Sequence, residues 1–176
     1  MTAMISPDVP PHIAALKAYV PGLPISDLAR RLGMPETSIA KLASNENPLG
    51  ASPAAVRAVA RAAVDFSLYP DNDCVALTTA LATALGVPAE WLVVGAGSES
   101  LLGVAASAFL SPERSAAFSQ YSFQAFVNAV QRVGAKAIAV PSPDFVVNLE
   151  ALLSAVQDDT RLVYLANPGN PTGTYL

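Results

Sequence analysis

Residues 115–140 read "SAAFSQYSFQAFVNAVQRVGAKAIAV", and this stretch predicts a short strand, a helix and a second strand. "SAAFSQ" is the first strand, a helix follows from Ser122 to about Arg132, Gly134 closes it, and "AKAIAV" is the next strand. The same rhythm extends on both sides. Upstream, "EWLVVGAG" (90–97) reads as a strand ending in glycines and "SESLLGVAASAFL" (98–110) as a helix opened by Ser98. Downstream, "NLEALLSAV" (148–156) is helical and "RLVYLAN" (161–167) is a strand. Repeated alternation of strand and helix predicts an α/β fold, a mostly parallel sheet with helices on both faces. Hydrophobic residues make up 52% and charged residues 14% of the 176 residues, as expected where strands are buried on both faces.

The earlier part has a different texture. Residues 1–50 are punctuated by Pro7, Pro10, Pro11, Pro21, Pro24, Pro35 and Pro48, with short helices expected at about 8–18 and 26–33. From Ser52 the chain reads as helix, with Pro53 at the first helical position and Val56, Val59, Ala60 and Ala63 on one face. "LYPDND" breaks that helix, and "CVALTTALATAL" (74–85) forms another that stops at Gly86-Val87-Pro88.

Composition narrows the function classes. A net charge of −4 with scattered Lys and Arg argues against a nucleic-acid surface. No run of ~18 apolar residues is uninterrupted, so no membrane partner is expected. The first residues, "MTAMISPDVPPHIAAL", lack the pattern of a secretory signal. Cys74 is the single cysteine, which allows no internal disulfide. A cytoplasmic protein is expected, and no metal site is read.

In parallel α/β sheets, ligands gather outside the carboxyl ends of the strands. Three segments are expected there. "VVGAGSES" (93–100) brings two glycines to the start of a helix, where free N–H groups favour an anion such as phosphate. An ordinary strand-to-helix turn accounts for it equally well. A dinucleotide site fits poorly, because Ser100 stands in place of the third glycine and "SAAFSQ" ends in no acid. "SQYSFQAF" (119–126) sets Tyr121 at a strand end, either covering a planar ligand or as a core aromatic. "ANPGNPTG" (166–173) is sharper. Pro168 and Pro171 fix φ and remove two donors, while Gly169 and Gly173 permit positive φ. Asn170 is left on a stiff frame beyond the strand. Two further polar islands are "KLASNENPLGASP" (41–53), carrying Asn45, Glu46 and Asn47, and "YPDND", carrying Tyr69.

Taken in order, "SNENPLG" (44–50), "YPD" (69–71), "GAGSES" (95–100), "SQYSF" (119–123) and "NPGNPTG" (167–173) resemble the histidinol-phosphate aminotransferase family. These are pyridoxal-phosphate enzymes of the aspartate-aminotransferase fold. "PHIAALKAYVPGLPISDLARRLG" (11–33) resembles that family's N-terminal arm. The resemblance covers essentially the whole chain. It implies an arm and small-domain segment at 1–50 and the first part of a cofactor-binding large domain at 51–176, an incomplete one. The implied cofactor is pyridoxal 5′-phosphate. Gly97, Ser98 and Glu99 would hold its phosphate, Tyr121 would stack on its ring and Asn170 would bond the ring's O3′. Tyr69 would reach the cofactor of a neighbouring subunit, since the family forms homodimers. Tyr19, Asn45 and Asn47 would lie near the substrate.

The implied reaction converts histidinol phosphate and 2-oxoglutarate to imidazole acetol phosphate and glutamate. Its partners are a small amino donor and a 2-oxo acid. An aromatic aminotransferase, a threonine-phosphate decarboxylase and a non-catalytic remnant stand as alternatives. The family commonly carries Asn at Ala96, Asp-Glu at Glu99-Ser100, Pro-Thr at Ser119-Gln120 and Asn at Gly169. Its Schiff-base lysine, an acid for the pyridinium and an arginine for the substrate carboxylate all follow the "NPTG" turn. Lys17, Lys41 and Lys136, the only lysines here, match none of these, so no catalytic residue is assigned within the chain. The chain alone is therefore expected to show no transaminase turnover. It is also expected to aggregate or need a partner, and a sharp two-state melt of a soluble monomer would contradict that.

Overall fold

The computed structural model describes residues 9–18 and 21–176. The described chain divides into two compact units, one of residues 21–93 and one of residues 9–18 with Val94–Leu176.

The first of these is helical. Helix α2 (Ile25–Leu32) ends at Gly33 in the left-handed conformation. Helix α3 (Pro53–Ala62) starts with proline in its first turn, and Ser52 caps it by position without a side-chain hydrogen bond. Helix α4 (Val75–Leu85) ends at a left-handed Gly86. Its start is tied down by Asp71, whose carboxylate accepts from the Asp73 N–H (3.1 Å) and the Val75 N–H (2.8 Å). The short helix α1 (Pro11–Ala14) belongs to the other unit and is much shorter than the expected 8–18.

The second unit holds the sheet. Helix α5 (Ser98–Phe109) leads to strand β1 (Ser115–Ser119). Helix α6 (Gln124–Arg132) leads to β2 (Lys136–Val140), and α7 (Leu149–Ser154) to β3 (Thr160–Tyr164). The order is β2-β1-β3 and both pairings are parallel. Ser115 pairs with Thr160 but Ala116 with Leu162, so the register steps by one residue at the start of β3.

All five residues of β1 are buried, because the central strand is covered on both faces. Ala116 and Phe118 face one layer with Ala106, Leu110, Phe126, Ala129 and Val130 of the α5–α6 side. Ala117 faces the other with Val140 and Leu152, over α7. Phe126 stacks on Tyr164 (centroids 4.5 Å apart) and meets Phe118 edge-on at 5.8 Å. Burial raises the Tyr164 phenol above its ordinary value. The unfolded chain would ionise first, so this tyrosine's contribution falls as pH rises past the usual phenol range.

One expected strand does not form. Residues 90–97 give a 3-10 turn at Ala89–Trp91 and then extended backbone at Leu92, with no ladder. A strand is defined by its hydrogen-bonded neighbour, and β2-β1-β3 offers this segment none. Phe126→Ala should cost about 3–5 kcal/mol by emptying the space between Phe118 and Tyr164. Val104→Ala, at an exposed site, should stay within about 0.5 kcal/mol. Urea unfolding of the two variants checks the contrast.

Candidate functional site

Each helix here precedes the strand it feeds, so α5 and α6 run back along the sheet and begin at its carboxyl end. The starts of these helices and the strand ends therefore share one edge of the unit, and three loops compose it.

The first loop follows β1. The Gln120 N–H donates to the Val140 carbonyl at 2.7 Å, and the Ser122 N–H donates back to the Ser119 carbonyl at 2.9 Å. Tyr121 sits at the tip of this tight turn, 40% exposed as a residue. The ring leans on Phe145 with centroids 4.9 Å apart and planes at 48°. Below it, the buried Ser119 and Ser142 hydroxyls bond each other at 2.6 Å.

The second loop is Asn167–Gly173. Both Asn-Pro bonds are cis. The Gly173 N–H donates to the Gly169 carbonyl (2.7 Å), and the Gly169 N–H to the Thr174 carbonyl (2.8 Å), which closes the turn on itself. A Cβ on Gly169 would fall 2.5 Å from the Thr172 Oγ1, so the hydroxyl occupies the space that a side chain would need. Asn170 and Tyr121 line the same cavity of about 360 Å³, with Gln120, Ser122, Phe123, Gln124 and Pro171. They also share a smaller crevice with Ser119, Gly169 and Thr172.

The third loop opens α5. Gly97 has φ 83° and serves as the N-cap, so the helix start has no side-chain cap hydrogen bond. Gly95 is a close approach: a Cβ there would lie 2.8 Å from the Leu101 Cδ2. Ser98 is the first helical residue. Glu99 lines a separate, open cavity of about 760 Å³ with Ala96, Gly103, Ser107 and Arg132. Gly97 and Ser98 border none of these three cavities. Tyr121 and Asn170 thus share a cavity that includes neither Gly97 nor Ser98, and Glu99 lines a different hollow.

Asn45, Asn47 and Tyr69 belong to the helical unit. Asn45 has positive φ (50°) and is exposed. Asn47 shapes its own turn, accepting from the Leu49 N–H and donating to the Gly50 carbonyl, each at 3.0 Å. Tyr69 is fully exposed. Tyr19 lies outside the described residues. Lys136 starts β2 at the amino end of the sheet and donates to Gln157 at 3.2 Å. Lys41 pairs with Glu46 in the other unit.

Residues 37–176 match the family described as aminotransferase class I and II. This chain belongs to that family. Histidinol-phosphate aminotransferase 1 of Thiobacillus denitrificans is 50% identical over 167 residues, which are 95% of this chain and 44% of the relative. The enzyme of the same name from Cupriavidus pinatubonensis is 45% identical over the same shares of each chain. Histidinol-phosphate aminotransferase from Sinorhizobium meliloti, solved in complex with pyridoxal-5′-phosphate, superposes with a TM-score of 0.75 at 31% identity. That match covers 92% of this chain and 42% of the solved one. The aminotransferase chain thus spans less than half the length of the curated relatives it matches. The α/β expectation, a parallel sheet with helices on both faces, holds for this partial domain.

Sequence reading missed Phe145 and the hydroxyls of Ser142, Thr172 and Thr174. A serine and a proline just before an aromatic, in "SPDF" beyond a strand, was the available signal. Gly95→Ala in this aminotransferase chain should lose about 1–3 kcal/mol of stability through overpacking. Gly97→Ala should lose about 1–3 kcal/mol through its positive-φ extended backbone (φ 83°, ψ 165°) alone. Denaturant midpoints measure both.

Proposed function

We propose that this chain is part of an aminotransferase of histidine biosynthesis that uses pyridoxal 5′-phosphate. Its reaction would pass the amino group of histidinol phosphate to 2-oxoglutarate. The supporting observation is that Tyr121 and Asn170, from separate strand ends, line one cavity whose size suits a small planar ligand. The relatives at 45–50% identity carry the substrate assignment.

The residues present fit such a cofactor. Tyr121 offers a partly exposed ring face that can cover a planar heterocycle and keep water from it. The Asn170 amide can donate to a ring oxygen, held in place by the closed turn around it. The first turn of α5, without a side-chain cap, leaves N–H donors for a phosphate, and the helix dipole adds to their effect. When bound, the cofactor supplies an electron sink for the carbanion at the substrate carbon. Gly97, Ser98 and the Glu99 backbone would hold the phosphate, which needs no Glu99 side chain. Tyr19, Asn45 and Asn47 would border the substrate, and Tyr69 would reach a second subunit's cofactor in a homodimer. Residues 1–50 would serve as arm and small-domain segment, and 51–176 as the first part of the large domain. The compartment would be the cytoplasm; among the described residues, no helix is long and apolar enough to cross a membrane.

A chimera tests the reading. Residues 1–176 would replace the corresponding segment of the Thiobacillus denitrificans relative, and transamination of histidinol phosphate would be assayed. Activity within about tenfold of the parent is expected. Asn170→Ala should lower it about 10–100-fold, since a hydrogen bond to a charged group contributes about 1.5–3 kcal/mol. Lys136→Ala, at the opposite end of the sheet, should leave it unchanged. A folded chimera that binds no cofactor would sink the proposal.

A further inference from the structure

The loop between β2 and α7 touches both of the loops just described, although no role has been given to it. At one end, the Ser142 hydroxyl bonds that of Ser119 (2.6 Å), under the Tyr121 turn. Both serines are buried. At the other end, the Phe145 carbonyl accepts from the Thr174 Oγ1 at 2.8 Å. Thr174 in turn bonds the Thr172 Oγ1 at 2.9 Å, and Thr172 fills the space beside Gly169. Between these anchors, Asp144 (φ 53°) and Phe145 (φ 63°) hold left-handed backbone. Non-glycine residues keep that conformation only where their surroundings impose it. The outcome is that the ring of Phe145, a residue more than half exposed, lies against the Tyr121 ring.

We propose that Phe145 is a positioning residue: Ser142 and Thr174 brace its loop so that its ring sets the orientation of Tyr121 at the ligand cavity. The ligand assignment rests on the cofactor reading above, whereas the positioning itself can be read without ligand. An exposed aromatic rotates freely unless a neighbour restrains it. Phe145 supplies such a restraint, its ring centroid 4.9 Å from that of Tyr121.

The test uses the full 176-residue chain carrying 3-fluorotyrosine, with the Tyr121 fluorine resonance assigned by Tyr121→Phe. Phe145→Leu should move that resonance and weaken pyridoxamine 5′-phosphate binding, followed by its fluorescence, by roughly tenfold, whereas Phe145→Tyr should preserve both. Thr174→Val should act in the same direction as Phe145→Leu, and Thr174→Ser should restore the signal. An unmoved Tyr121 resonance in folded Phe145→Leu overturns the assignment. So does tighter ligand binding in that variant, which would mean the ring obstructs the cavity. If the unsubstituted chain binds no pyridoxamine phosphate while Thr174→Val, which keeps the Phe145 ring but removes its brace, still shifts Tyr121, the cofactor reading fails and the positioning role stands.

Discussion

Strand β1 is covered on both faces, and the rest of the sheet unit is arranged around that requirement. Ala116 and Phe118 must meet one helical layer while Ala117 meets another. A parallel strand covered this way needs a helical return on each side. Those returns carry the starts of α5, α6 and α7 to the edge where the strands end. Alanines let the layers approach closely, and Phe118 supplies most of the side-chain volume, fixed by its edge-on contact with Phe126. The ligand edge thus follows from how a short apolar strand is hidden from water.

The two ends of β1 solve the same polar problem differently. At the amino end, the Ser115 hydroxyl meets the Asp159 carboxylate and the Thr160 hydroxyl, both at 2.8 Å. At the carboxyl end, the Ser119 hydroxyl bonds that of Ser142. No buried side-chain N or O among the described residues lacks a partner, so neither end stores an unsatisfied group. The amino end is knotted by one charge-assisted bond and one between hydroxyls, which suits a foundation. The carboxyl end is closed by neutral hydroxyls below loops that remain open to solvent.

Much of this was legible in the sequence because it is encoded locally. Short apolar runs between helical stretches marked β1, β2 and β3, and Gly33 and Gly86 marked two helix stops at the residue. Asn170 was legible because prolines and glycines dictate backbone geometry without reference to the rest of the fold. The parts that were not legible depend on distant partners. Leu92–Val94 has strand composition, but pairing comes from a neighbour that composition does not reveal. The helix expected over 8–18 shrank to Pro11–Ala14, four residues with no buried side chain. Phe145 was invisible for a related reason: its contact with Tyr121 exists only once β1 and β2 lie side by side. Glu99 shows the limit of reading a helix start, since position there fixes where the N–H groups go but not where the side chain leads.

Tyr121 and Asn170 lie far apart along the chain and meet only across β1 and β3. Whatever occupies their common cavity therefore binds the assembled sheet and not its separate parts. Occupancy and assembly are then thermodynamically linked, and a ligand at a hundred times its dissociation constant adds about 2.7 kcal/mol to the assembled form. A molecule that fits this hollow acts as a late structural component of the domain, holding together two strand tips that no covalent bond joins.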